Sequence, residues 1–250
     1  MTALVTGASS GIGRDIARRL GKMGVRLIIT GRDESKLEAI RQEIGANRVK
    51  VITADISRRG ECFRLYREAS AYGVDILVNN AGFGLYGKFS VTELDRELEM
   101  IDVNICAVHI LTKLFLKDFS ARDKGYILNV ASIAGFMPGP LMATYYASKN
   151  YVVRLTEAIR EELRCQRSSV YIGAFCPGPV DTNFNSTAGV KFALRGISSE
   201  YAAKCAVDGM FERKMLIFPT ASVRAAVTAS RFLPDAVVAA AARLVQSKKG

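Results

Sequence analysis

A tyrosine and a lysine four residues apart, Tyr145 and Lys149, form the pair in this sequence best suited to moving a proton. On a helix this spacing puts both side chains on one face, with Cβ atoms about 5–6 Å apart. An ammonium beside a phenol favours the phenolate, so we expect Lys149 to lower the pKa of Tyr145 from about 10 towards a range useful in acid–base catalysis. The residues alone leave two alternatives open, because Tyr146 precedes the same lysine by three positions and the pair could be incidental.

A glycine-rich segment near the start of the chain predicts a turn that binds phosphate. It reads Thr6-Gly7-Ala8-Ser9-Ser10-Gly11-Ile12-Gly13, after an apolar stretch at 3–5 and before a helical stretch at 14–23. Glycines lack a Cβ, so a pyrophosphate can approach the backbone and meet the unpaired N–H groups of the helix N-terminus. A glycine-rich surface loop is the alternative, and the flanking strand and helix favour the nucleotide site.

Stretches rich in β-forming residues alternate with helical stretches along the chain. Strands are predicted near 3–6, 25–30, 49–54, 75–79, 126–131, 170–175 and 215–218. Helices between successive strands imply right-handed crossovers and a parallel sheet. We therefore predict an α/β fold with a doubly wound, Rossmann-like, seven-stranded parallel sheet and helices on both faces. Residues 1–220 are predicted to form one domain, and 221–250 a helical tail packed on it or on a partner.

Polar and small residues follow most of these strands directly. They are Gly31-Arg32, Asp55-Ile56, Asn79-Asn80-Ala81-Gly82, Ser132 and Pro177-Gly178. Each could be an ordinary turn. Ligands of such sheets bind at the carboxyl ends of the strands, however, so five such sets on one edge predict a binding site.

These residues together resemble the short-chain dehydrogenase/reductase family of the compact, single-domain type. The matching motifs, in family order, are Thr6-Gly7-x-x-x-Gly11-x-Gly13, Asp55, Asn79-Asn80-Ala81-Gly82, Asn104, Ser132, Tyr145-x-x-x-Lys149 and Pro177-Gly178-x-Val180-x-Thr182. The resemblance selects Tyr145 over Tyr146, because the family places its tyrosine at this distance from the serine. It also implies reversible reduction of a carbonyl to an alcohol with a nicotinamide dinucleotide.

The resemblance implies a catalytic set of Asn104, Ser132, Tyr145 and Lys149. Tyr145 would protonate the carbonyl oxygen, and Ser132 would donate a hydrogen bond to the same oxygen. Lys149 would hold the nicotinamide ribose, and Asn104 would support a water relay that returns the proton. The residues implied to bind the cofactor are Gly7, Ser9, Ser10, Gly11, Ile12, Gly13, Arg32, Asp55, Ile56, Asn80, Ala81, Gly82, Tyr145, Lys149, Pro177, Gly178, Val180 and Thr182.

The end of the second strand predicts a preference for NADPH. Enzymes that prefer NAD usually carry an acid there, which accepts hydrogen bonds from the ribose 2′-hydroxyl and repels a 2′-phosphate. This chain has Gly31 followed by Arg32. The glycine leaves room, and the guanidinium offers paired donors to phosphate oxygens. Asp33 lies two positions beyond the expected acid and is predicted to cap the next helix.

The segments predicted to wall the substrate pocket are mainly apolar. They are 83–86, 133–138, 141–142 and 180–192. A hydrophobic ketone, an acyl chain or a sterol-like molecule is therefore expected.

The C-terminal tail is longer than in short family members. The apolar residues of its predicted helix share one face, and two lysines follow near its end: Leu233, Val237, Ala240, Ala241, Leu244 and Val245, then Lys248 and Lys249. This face predicts that the tail docks on the domain or on a partner subunit. Contact with an anionic membrane is the alternative. A homodimer is favoured over a homotetramer.

Composition narrows the remaining function classes. The chain has 250 residues, a net charge of +11 and a single histidine, which excludes a multi-histidine metal site. Acids interleave with the basic residues, so a nucleic-acid-binding protein is disfavoured. Five scattered cysteines suit reduced core thiols, and a start within the first strand suits a cytoplasmic protein. His109 is predicted to be a packed or partnered core residue. A dinucleotide-sensing regulator or scaffold that lacks catalysis is the alternative function.

Overall fold

The computed structural model describes residues 1–182, 184 and 196–247. Positions 183 and 185–192 of the predicted pocket wall lie outside the described residues, as do Lys248, Lys249 and the side chain of Val245. Within the described part of the chain, no helix is both long enough and apolar enough to cross a membrane.

A seven-stranded parallel sheet forms the centre of the molecule and confirms the predicted fold class. Its strands are β1 (Thr2–Thr6), β2 (Arg26–Gly31), β3 (Val49–Thr53), β4 (Ile76–Asn79), β5 (Tyr126–Val130), β6 (Tyr171–Phe175) and β9 (Leu216–Ile217). They lie in the order β3-β2-β1-β4-β5-β6-β9, and every pair is parallel. Two short strands, β7 (Val180–Asp181) and β8 (Ile197–Ser198), pair separately. The order reverses at β1, so the crevice between β1 and β4 is the expected ligand site.

Helices cover both faces of the sheet. Their bounds are Gly11–Lys22, Glu34–Ile44, Arg59–Ser70, Leu94–Ile101, Val108–Ala121, Ala143–Cys165, Ser199–Phe211, Ala221–Ser230 and Asp235–Ser247. A π-helical turn, Asp102–Ala107, joins the fourth of these to the fifth, and short 3₁₀ turns occupy Ala46–Arg48 and Ile133–Phe136.

The side-chain alternation of the strands divides the core into two layers. Ala3 and Val5 of β1 belong to one apolar cluster, whereas Leu4 between them belongs to another. Successive strand residues point to opposite faces, and each face buries its own set of helices. Ile16 of the first helix packs in the first cluster, and Phe115 packs in the second.

The tail helix contacts the domain through a face that the sequence did not predict. Val238, Ala242 and Gln246 are buried, at a spacing of four residues. Of the predicted apolar face, Leu233, Val237 and Leu244 are at least half exposed, and Ala240 and Ala241 are exposed as well. This face therefore does not pack on the domain of the same chain, and the other half of the prediction, docking on a partner subunit, stays a prediction. The sequence pattern identifies the most hydrophobic face of the tail helix. The face that is buried against the domain is a different one, and it includes the polar residue Gln246.

The structure also shows where the single histidine and the five cysteines lie. His109 is exposed rather than part of the core, although it is partnered, with Nδ1 lying 2.6 Å from the Tyr151 hydroxyl. All five cysteines are free, but Cys165 is exposed while Cys62 and Cys176 are buried.

Candidate active site

The glycine-rich turn brings the start of the first helix to the carboxyl edge of the sheet. Gly7 has a φ of +64°, which favours glycine, and a Cβ there would lie 2.8 Å from the Ala81 Cα. The N-cap residue Ser10 makes no side-chain capping hydrogen bond with any described residue. Backbone N–H groups of this helix end are thus available to an anion.

Asn80 and Thr6 join this turn to β4. The Asn80 carboxamide donates to the Thr6 carbonyl at 2.9 Å and to the Gly7 carbonyl at 3.2 Å. In return, the Thr6 hydroxyl accepts from the backbone N–H groups of Asn80 and Ala81, both at 3.0 Å. A Cβ on Gly13 would overlap the Asn80 carboxamide. Gly13 therefore acts as a packing position behind the turn rather than in the cleft.

Asn104 lies fully buried in the π-helical turn. Its Oδ1 accepts from the Phe83 N–H at 3.1 Å, and its Nδ2 donates to the Phe83 carbonyl at 2.9 Å and to the Ser148 hydroxyl at 3.0 Å. These bonds connect the segment after β4 to the helix that carries Tyr145. The extra residue of a π turn, which often marks a functional site, changes the direction in which this side chain projects.

Ser132 follows β5 and caps the 3₁₀ turn Ile133–Phe136. Its hydroxyl accepts from the Ala134 N–H at 3.1 Å and lies 3.4 Å from the Pro177 carbonyl. Both neighbours keep the serine at the cleft, between the segments that follow β5 and β6.

Tyr145 and Lys149 lie on one helix face, as predicted, but their ionisation differs from the prediction. Burial raises the pKa of Tyr145 to about 12, against a smaller lowering effect of the Ser132 hydroxyl. Burial also lowers the pKa of Lys149 to about 8. The Lys149 ammonium donates to the Val130 carbonyl at 2.9 Å and lies 5.9 Å from the centre of the Tyr145 ring. The expected lowering of the tyrosine pKa by Lys149 is therefore wrong for the protein without ligand, because desolvation of the phenolate is the larger effect.

One cleft of about 390 Å³ runs along the carboxyl edge of the sheet. Its wall includes every predicted site residue except Gly13 and Asn104, which support it from behind. The predicted site residues that line it are Gly7, Ser9, Ser10, Gly11, Ile12, Arg32, Asp55, Ile56, Asn80, Ala81, Gly82, Ser132, Tyr145, Lys149, Pro177, Gly178, Val180 and Thr182. Parallel strands place these residues together because all their carboxyl ends meet at one edge.

Near the end of β2, the cleft has room beside Gly31 and carries the positively charged side chain of Arg32. A Cβ on Gly31 would have the Ser9 hydroxyl as its nearest neighbour, at 3.5 Å. Arg32 is exposed, and its Nη1 pairs with Glu99 Oε1 at 3.0 Å. Asp33 caps the next helix by accepting from the Lys36 N–H at 3.1 Å, as predicted.

Several lining residues were not predicted from the sequence. They are Thr30, Ala54, Arg96, Glu99, Val103, Val130, Ala131, Tyr146, Pro179 and Gln246. Most adjoin predicted motifs in the sequence and could have been found by extending them. Arg96, Glu99 and Gln246 come from distant helices, and the sequence offers no pattern that places them here.

Comparisons with known proteins agree with this geometry. The profile of a family described as short chain dehydrogenase matches residues 1–193. The chain belongs to this family. An uncharacterized oxidoreductase of Staphylococcus aureus (strain MRSA252) is 33% identical over 187 residues, which cover 74% of this chain and 80% of the relative.

Solved structures of other short-chain dehydrogenases share the fold. One from Sphingobium yanoikuyae in complex with NADPH has a TM-score of 0.84 and 27% identity, covering 92% of this chain and 93% of that one. One from Burkholderia phymatum in complex with NAD has a TM-score of 0.82 and 26% identity, covering 91% of both chains. The present chain is thus a short-chain dehydrogenase of an oxidoreductase family.

Proposed function

We propose that this short-chain dehydrogenase is an NADPH-dependent oxidoreductase that reversibly reduces a carbonyl on a hydrophobic substrate to an alcohol. The observation that carries the proposal is the convergence of Tyr145, Ser132 and Lys149 in the cleft that also receives an uncapped helix N-terminus. A dinucleotide fits this cleft because its pyrophosphate would meet free N–H donors at one end and its nicotinamide the reactive side chains at the other.

The cofactor would be held by residues on both sides of the β1–β4 crevice. The turn at 7–12 would bind the pyrophosphate, and Asp55 with Ile56 the adenine. Asn80 would support the ribose side, Lys149 the nicotinamide ribose, and Thr182 the carboxamide. When bound, the dinucleotide supplies or accepts the hydride.

Tyr145 would act as the general acid. A phenol whose pKa is about 12 carries its proton at neutral pH and can donate it to the substrate oxygen. Ser132 would donate a hydrogen bond to the same oxygen and stabilise its developing negative charge. Asn104 would be a positioning residue, since its bonds hold Phe83 and Ser148 against each other.

The preference for NADPH is supported by the cleft end at Gly31 and Arg32. The glycine adds no carboxylate to repel a 2′-phosphate, and the exposed guanidinium can reorient from Glu99 towards the phosphate. The substrate class is supported by the apolar side chains of Phe83, Val103 and Phe184 in the wall.

Assembly of two copies is a further part of the proposal. The apolar face of the tail helix is exposed on this chain, with Leu244 61% and Val237 51% accessible. A homodimer that covers this face is favoured over a homotetramer, and contact with an anionic membrane is the weaker alternative.

We also propose that residues 1–220 form the catalytic domain and residues 221–250 a helical tail, and that the protein is cytoplasmic.

Replacement of Tyr145 by phenylalanine tests the reaction. Consumption of NADPH with a panel of ketones and 3-ketoacyl thioesters should fall about 10²–10⁴-fold in kcat, while NADPH affinity stays within about twofold. Tyr151→Phe is the matched control, because Tyr151 lies on the same helix but bonds His109 away from the cleft. More than about a tenth of the wild-type kcat in the Tyr145 variant would contradict general acid catalysis by this residue.

A further inference from the structure

Gln246 brings a buried carboxamide from the end of the chain into the cleft wall. It lies in the last helix, Asp235–Ser247, and is 1% exposed. Its Nε2 donates a hydrogen bond to the hydroxyl of Tyr146, a residue 100 positions earlier that also lines the cleft. The end of the tail is thereby tied to the helix that carries Tyr145.

The other end of this carboxamide, its Oε1, has no hydrogen-bond partner among the described residues. Gln246 Oε1 is buried and accepts no hydrogen bond from any residue that the structure describes. A buried amide oxygen without a donor is unfavourable, and native proteins usually satisfy such a group. Rotation about the last side-chain torsion of glutamine is soft, so a small rotation can turn the oxygen towards a donor in the cleft at some expense to the geometry of the Nε2 bond to Tyr146.

The Gln246 oxygen lies near an apolar part of the cleft wall. Tyr146 packs in an apolar cluster with Met142 and Phe184, and the Phe184 ring centroid lies 5.3 Å from that of Tyr145. An apolar substrate body is expected against these rings, with its carbonyl at Tyr145. A buried acceptor in such a wall discriminates strongly between ligands that can and cannot donate to it.

We propose that Gln246 is a specificity-determining residue that accepts a hydrogen bond from a hydroxyl or N–H group on the apolar body of the substrate, at a position separate from the reacting carbonyl. The inference rests on the proposed carbonyl reduction. It assigns the substrate class as hydrophobic ketones that carry a second, hydrogen-bond-donating group.

Three matched ketones test this assignment. 4-(4-Hydroxyphenyl)-2-butanone carries a donor, 4-phenyl-2-butanone carries none, and 4-(4-methoxyphenyl)-2-butanone carries only an acceptor. The corresponding 4-arylcyclohexanones form a second series with a different spacing. In at least one series, we expect the wild type to favour the hydroxy ketone over both analogues by about tenfold or more in kcat/KM with NADPH.

Gln246→Leu, of similar size, should reduce that preference to less than about twofold. Tyr146→Phe is the matched control, because it removes the same tail contact but keeps the carboxamide, and it should retain the preference. Equal loss of preference in both variants would show that tail docking, not the acceptor, matters and would overturn the proposal. Equal rates for all three ketones, or an equal preference for the methoxy ketone, would overturn it as well.

Calorimetric titration of each ketone into the NADPH-saturated protein separates this inference from the proposed function. Tighter binding of the hydroxy ketone that Gln246→Leu abolishes supports the inference even where turnover fails. Turnover without any such difference supports carbonyl reduction and overturns the role of Gln246. Absence of both binding preference and turnover overturns the two together.

Discussion

The contact between Arg32 and a 2′-phosphate can be tested by replacing Arg32 with alanine. In the protein without ligand, the guanidinium pairs with Glu99 at 3.0 Å, and its side chain is 68% exposed against 23% for the glutamate. Binding of NADPH would therefore require Arg32 to leave this carboxylate or to share its donors with the phosphate. Glu99 also pairs with Arg96, so it keeps a cationic partner in either case.

The size of the effect follows from these two interactions. A hydrogen bond between charged groups contributes about 1.5–3 kcal/mol, whereas an exposed ion pair contributes about 0–1 kcal/mol. The net stabilisation of bound NADPH by Arg32 is then about 1–2 kcal/mol, or about 5- to 30-fold in kcat/KM. NADH has no 2′-phosphate, so its kcat/KM should change by less than about twofold.

The assay measures kcat/KM for both cofactors with one ketone at fixed ionic strength. Arg154→Ala is the matched control, because Arg154 also forms an exposed ion pair, with Glu157 at 2.7 Å, outside the cleft. Glu99→Gln removes the competing carboxylate and should raise kcat/KM for NADPH about two- to fivefold. Added salt should weaken use of NADPH more than use of NADH.

The double variant Gly31→Asp with Arg32→Ile extends this test. The carboxylate should repel the 2′-phosphate and accept from the 2′-hydroxyl, so NADH should become the better cofactor. The wild type should favour NADPH by at least about tenfold, equivalent to about 1.4 kcal/mol. Equal use of the two cofactors by the wild type, or equal losses for both in Arg32→Ala, would contradict a contact between Arg32 and the 2′-phosphate.

Three further predictions follow from the burial or exposure of particular side chains. The folded-state pKa of Lys149 lies near 8, below its ordinary 10.5, so the buried ammonium lowers stability below pH 8 and ceases to do so as the pH rises to 10.5. Lys149→Met should therefore raise the free energy of unfolding at pH 7 by up to about 3 kcal/mol, and denaturant titrations should show this gain shrinking at pH 10. A gain that is equal at both pH values would contradict this assignment. Deletion of residues 232–250 exposes the surface that buries Val238 and Ala242 and should lower Tm by about 5 °C in calorimetry, whereas an unchanged Tm would argue against docking. Leu244→Glu, at an exposed apolar position, should weaken self-association in sedimentation experiments without lowering Tm, and unchanged assembly would exclude this face as the interface.

Much of the fold and of the cleft could be predicted because the relevant information is local in the sequence. Alternating and continuous apolar runs gave the seven strands to within about two residues. Once the strands are parallel, residues that follow them must gather at one edge, which places Asp55 and Ser132 in one cleft. The cap formed by Asp33 is equally local, since its partner Lys36 is three positions away.

The tertiary structure decided what depends on burial and on distant parts of the chain. The spacing of Tyr145 and Lys149 determined that they share a helix face, but the desolvation of both groups determined the direction of their pKa shifts. The helical spacing of apolar residues showed that the tail has an apolar face, but packing placed that face outwards and buried Gln246 against Tyr146. Periodicity records how hydrophobic a face is. Which face is buried depends on the shape and hydrogen-bonding groups of the surface that receives it, and those are set by residues far away in the sequence.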